Sequence, residues 1–132
     1  MAPIRILVVD DFEPWRQYVC SMLQTRPKPC VVAEVGDGLE AVRQAQELKP
    51  DLILLDISLP KLDGLQAASR IRRVAPATAI IFLTHNSDKD VREAALRTGA
   101  RGYVLKANAA KELLPAIDAA LRGPRLVSSG TE

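Results

Sequence analysis

Residues 50–56 read Pro50-Asp51-Leu52-Ile53-Leu54-Leu55-Asp56: a proline, four consecutive large apolar residues, and an acid at the end. A run this short, apolar throughout and bounded by breakers, is the pattern of a strand covered on both faces. The flanking sequence repeats it in near-continuous form, with Arg5 and Glu34 as interruptions. Ile4 to Val9 ends at Asp10, Cys30 to Val35 is a second run, Ala79 to Leu83 ends at Thr84, and Tyr103 to Leu105 ends at Lys106. Between the runs, apolar residues return at helical spacing. Residues 14–24 carry Trp15, Tyr18, Val19, Met22 and Leu23, with Pro14 suited to a first turn. Leu39 to Leu48 is stopped by Pro50, and Asp63-Gly64 opens a helix holding Leu65, Ala68 and Ile71. Asp88 to Thr98 is closed by Gly99. Leu113, Leu114, Ile117, Ala120 and Leu121 line a last helix, and Pro115 fits only near its start. Five strand–helix pairs with short connections predict an α/β domain: a single doubly wound, five-stranded parallel sheet with helices on both faces.

The bulk numbers agree. A chain of 132 residues is enough for one domain and not comfortably for two. Aromatic residues are only 4%, so the core must be built from Val, Leu, Ile and Ala. A net charge of +2, with Lys and Arg spread along the chain, gives no basis for a nucleic-acid surface. No apolar run approaches the roughly 18 residues of a membrane span, and the N-terminus lacks a signal-peptide pattern. Cys20 and Cys30 form no CxxC pair; they read as small buried apolar residues, not as a disulfide or a zinc site. A reduced, cytoplasmic protein is expected, with residues 1–122 as the domain. Residues 123–132, holding Gly, Pro and hydroxyl residues, read as a C-terminal tail or truncated linker.

The chemistry collects at the ends of the runs. Asp10, Asp56, Thr84 and Lys106 each close one, and Asp11 adds a further acid. In an open parallel sheet, ligands bind outside the carboxyl ends of the strands, so these residues are expected to meet on one edge. Packed carboxylates repel and raise one another's pKa, and a hard divalent cation relieves that repulsion. Mg2+ suits few carboxylates, several waters and a phosphate oxygen. Asp10, Asp11 and Asp56 therefore read as a Mg2+ site completed by a phosphoryl group. Lys106 offers a point charge for a phosphoryl oxygen, Thr84 a short hydroxyl donor, and Asp56 a nucleophile that forms an aspartyl phosphate.

The motifs Val8-Val9-Asp10-Asp11, Pro50 to Asp56, Leu59-Pro60-Lys61-Leu62-Asp63-Gly64, Phe82-Leu83-Thr84 and Gly102-Tyr103-Val104-Leu105-Lys106 carry a family resemblance. Over residues 4–122 the chain resembles the receiver domains of bacterial two-component response regulators. The resemblance implies a flavodoxin-like sheet of order 2-1-3-4-5, and a phosphoacceptor, not an enzyme. It implies that Asp56 is phosphorylated from a sensor histidine kinase in a phosphorelay. It also implies that Asp10, Asp11, Asp56 and the backbone carbonyl of Ser58 serve Mg2+, and that Thr84 and Tyr103 move together as switch residues. A homodimer or an output domain would receive the switched contact. The stretch Gly102-Tyr103-Val104-Leu105-Lys106-Ala107 and the ending Leu121-Arg122-Gly123 are similar to the LuxR-like class, whose members regulate transcription through a C-terminal helix-turn-helix domain. DNA would be met only through such an output domain, absent from this chain, and truncation is favoured over a stand-alone receiver.

The chain departs from the family pattern twice. His85 follows the threonine where a small residue is common, which puts the phosphate's lifetime in question. Ala107 follows the lysine where proline is common, so the next loop is expected to differ. Trp15 either covers the core or faces the kinase. Rival readings fit less well. A haloacid-dehalogenase-like phosphatase needs an acid two residues after its nucleophile, where Ser58 stands. A flavodoxin-like cofactor carrier needs a hydroxyl- and glycine-rich loop where Asp10-Asp11-Phe12-Glu13 is acidic, and no P-loop is present. A pseudo-receiver that binds partners without phosphorylation is the alternative.

Overall fold

The computed structural model describes residues 3–129, and of residues 123–129 the backbone alone. Five parallel strands form one sheet: β1 (Ile4–Val9), β2 (Pro29–Val35), β3 (Leu52–Leu55), β4 (Ala79–Thr84) and β5 (Gly102–Leu105). Their order is β2-β1-β3-β4-β5, as expected. The helices are α1 (Glu13–Leu23), α2 (Gly38–Leu48), α3 (Gly64–Val74), α4 (Lys89–Arg97) and α5 (Ala109–Ser129).

The continuous apolar runs have a simple cause. Successive strand residues point to opposite faces, and both faces are covered. Ile6, Val8, Leu52, Leu54, Ile81 and Leu83 pack beneath α1 and α5 with Val19, Leu23, Leu113 and Ile117. Leu7, Val9, Ile53, Leu55, Ile80 and Phe82 pack beneath α2, α3 and α4 with Ala41, Ala45, Ala67, Ala68, Ile71 and Ala95. The second layer uses alanines where helices crowd the sheet. Asp37, Asp63 and Asp88 cap α2, α3 and α4, their carboxylates accepting from the Glu40, Gln66 and Asp90 backbone N–H groups. Gly99 ends the α4 turn with φ +96°, in the left-handed region.

Two expectations are corrected. The edge strand β2 is only partly covered, because it has a neighbour on one side alone; Cys30 is exposed and Cys20 half-buried. The last helix starts at Ala109, behind a 3-10 turn at Lys106–Asn108, so Pro115 lies in its second turn. Burial of Ala109, Leu113, Ile117 and Ala120 outweighs the backbone hydrogen bond that the proline forgoes. The backbone of α5 continues past Gly123 to Ser129. Residues 130–132 of the expected tail lie outside the described residues.

Candidate functional site: an acidic cleft at the carboxyl edge of the sheet

The ladder of the central strands runs one residue past their ends. Asp10 N–H donates to the Val35 carbonyl (3.1 Å), and Asp56 N–H donates to the Val9 carbonyl (3.1 Å). The two acids therefore emerge side by side. Each is then pinned by one oxygen: Asp10 Oδ1 accepts from Phe12 N–H (2.9 Å), and Asp56 Oδ1 from Ile57 N–H (2.7 Å). That leaves both Oδ2 atoms for Lys106, which arrives from the end of β5. Its Nζ lies 2.5 Å from Asp10 Oδ2 and 3.3 Å from Asp56 Oδ2.

This triad is buried: Asp10 is 2% exposed, Asp56 5% and Lys106 8%. One ammonium shared by two buried carboxylates cannot satisfy both. Burial raises the Asp10 pKa above its ordinary value, against the opposing pull of Lys106 and the Phe12 N–H, and Asp56 adds to the rise. Asp10 Oδ2 touches the ammonium closely, yet lacks the alignment of a hydrogen bond and has no other partner. Asp11, exposed at the rim, completes a group whose carboxylate oxygens lie within 4.8 Å of one another across Asp10, Asp11 and Asp56. Three clustered carboxylates, two of them sharing one ammonium, fit a hard cation.

Ser58 is exposed two residues beyond Asp56, in a turn where Leu59 N–H and Gly64 N–H both donate to the Ile57 carbonyl (3.0 and 2.7 Å). Thr84 is buried at the end of β4, and its Oγ1 accepts from Asn86 N–H (3.3 Å) rather than bonding Asp56. Tyr103 is half-buried against Phe82, and its hydroxyl donates to the Asn86 carbonyl (2.6 Å). Burial raises the Tyr103 pKa, so its hydroxyl stays a donor at neutral pH. His85 is exposed.

Sequence reasoning missed Asn86. Its backbone N–H and carbonyl join Thr84 to Tyr103, and no pattern of side chains announces a backbone link. It also assigned Arg16 no role. Arg16 donates to the Asp10 carbonyl (2.5 Å) and pairs with Glu34 (3.3 Å), fastening the end of β1 to α1 and β2.

A doubly wound sheet whose carboxyl edge gathers three acids, a lysine and a threonine defines a class: α/β domains built to carry a phosphoryl signal. The particular family follows from comparison with known proteins. The chain belongs to the response regulator receiver domain family, whose pattern matches residues 6–118. It is 40% identical over 126 residues to the transcriptional regulatory protein LiaR of Bacillus subtilis (strain 168), covering 95% of this chain and 60% of that protein. It is 39% identical over 121 residues to the response regulator protein VraR of Staphylococcus aureus (strain NCTC 8325 / PS 47), covering 91% and 57%. Among solved structures, a LuxR-family two-component response regulator from Aurantimonas sp. SI85-9A1 superposes with a TM-score of 0.87 at 35% identity, over 92% of this chain and 87% of that one. The chain spans less than two thirds of the length of the curated relatives it matches.

Proposed function

We propose that Asp56 is the phosphoacceptor and that the chain takes its phosphoryl group from a sensor histidine kinase. The observation that carries this reading is the buried Lys106 ammonium 3.3 Å from Asp56 Oδ2, delivered from a strand two places away in the sheet. An Asp56 carboxylate oxygen forms the new O–P bond as the N–P bond of the kinase phosphohistidine breaks, and the leaving imidazole keeps the electron pair. Lys106 offsets charge on the phosphoryl oxygens, and catalysis is otherwise positioning. Asp10, Asp11, Asp56 and the Ser58 carbonyl would hold Mg2+, which supplies neutralisation of the clustered negative charge.

The acyl phosphate carries about −1.5 to −2 charge where the carboxylate carried −1, and it brings strong acceptor oxygens. Thr84 gains a reason to leave Asn86 and turn toward Asp56. Because Asn86 also holds the Tyr103 hydroxyl, a shift of one disturbs the other. The altered β4–α4–β5 surface would then favour a second copy of the chain or an output domain, in the manner of a cytoplasmic transcription regulator that reaches DNA through that other domain.

The test is intact mass after incubation with acetyl phosphate, with and without Mg2+, for wild type and Asp56→Asn. A gain of one phosphoryl group that needs Mg2+ and is absent from the variant is expected. No gain, together with no Mg2+ binding, would leave a non-phosphorylated interaction module.

A further inference from the structure

Lys106 has a third partner. Its Nζ lies 5.1 Å from the centroid of the Trp15 ring, within the range where an ammonium is drawn to an aromatic face. Trp15 stands in the first turn of α1, just after Pro14, and its N–H donates to the Phe12 carbonyl (3.0 Å). The ring packs on the core layer beneath α1 and α5 and lies 5.1 Å from the ring of Tyr18. It is therefore held from behind, not free to follow the lysine.

We propose that Trp15 is a positioning residue for the phosphoryl-transfer site, holding the Lys106 ammonium at the mouth of the acidic cleft through a cation–π contact. The inference rests on the reading of Asp56 as acceptor. A lysine ammonium is a compact charge on a flexible four-carbon stem, so its placement has to come from its surroundings. Here two carboxylates pull unequally, at 2.5 and 3.3 Å, toward Asp10. Any cation that engages Asp10 and Asp56 competes with the ammonium for the same oxygens. The indole face attracts the ammonium without using a carboxylate oxygen, so it keeps Lys106 near Asp56 when those oxygens are occupied. Trp is the best aromatic for this, and desolvation strengthens the contact; Lys106 is only 8% exposed.

Trp15 is the sole tryptophan of the chain, so its emission reports the surroundings of this ring alone. Two measurements test the inference. The first compares tryptophan emission of wild type and Lys106→Met, without ligand. Loss of a cation over the ring is expected to shift the emission maximum; unchanged emission overturns the contact. The second is the rate of phosphorylation by acetyl phosphate at saturating Mg2+, followed by intact mass, for wild type, Trp15→Phe and Trp15→Leu. Thermal melts show whether each variant folds. Trp15→Leu, which keeps apolar bulk without a ring, is expected to slow phosphorylation about tenfold, while Trp15→Phe stays within about threefold of wild type. Equal rates for the two variants overturn the positioning role, because packing alone would then account for Trp15. A wild-type protein that gains no mass overturns the acceptor reading itself, and this inference with it.

Discussion

Gly64 has no room for a side chain. A Cβ there would lie 2.1 Å from the Asp56 carbonyl oxygen and 2.6 Å from Ile57 Cα. Gly64→Ala must push the turn that follows Asp56, and a loss of about 1–3 kcal/mol in urea unfolding is expected; an unchanged midpoint would contradict the close approach. Asp10 acts in the opposite sense. Its folded-state pKa is raised, so the folded protein prefers the protonated acid. That preference favours folding below the ordinary carboxylate pKa and is lost as pH rises through the folded value, leaving a net cost at pH 7. Asp10→Asn removes the cost, and Lys106 keeps Asp56 as a partner. Without Mg2+ at pH 7 the variant is expected to be more stable than wild type, with a higher Tm. The advantage should shrink as pH falls and wild-type Asp10 protonates. Melts of both proteins across that range check the sign.

At the scale of elements, the caps were legible and the start of the last helix was not. Asp63-Gly64 and Asp88 announce helix starts because a short carboxylate can take an orphan N–H of the first turn. Pro115 misled by the same local logic. It lacks an N–H and clashes with the preceding turn, so sequence places it at a helix start. In the fold it sits six residues inside α5, exposed, with its neighbours Leu113 and Ile117 anchored in the core. Pro115→Ala restores a backbone hydrogen bond without touching that packing. A gain of about 1–3 kcal/mol is expected, read from chemical denaturation. A loss would mean that the proline serves the helix.

For the molecule as a whole, the cleft should couple cation binding to stability. A ligand that binds only the folded protein stabilises it by about 2.7 kcal/mol at one hundred times its Kd. Mg2+ is expected to raise Tm accordingly, and Asp11→Ala to remove most of the rise, since Asp11 contributes to the only such carboxylate group among the described residues. A Tm indifferent to Mg2+ would count against the cleft as a cation site. The sequence by itself determined the alternation of strands and helices, because burial on two faces leaves only apolar residues in β1, β3 and β4 apart from Arg5 and Thr84. It also placed Asp10, Asp56, Thr84 and Lys106 at run ends, and parallel strands carry such ends to one edge. Only the tertiary structure decided which oxygen of each acid faces the lysine, that Asn86 joins Thr84 to Tyr103 through its backbone, and that Trp15 reaches Lys106 from 91 positions away in the chain. The physical reason is one of range: periodicity records which face of an element is buried, whereas contacts between elements depend on how whole layers pack, and no local pattern encodes that.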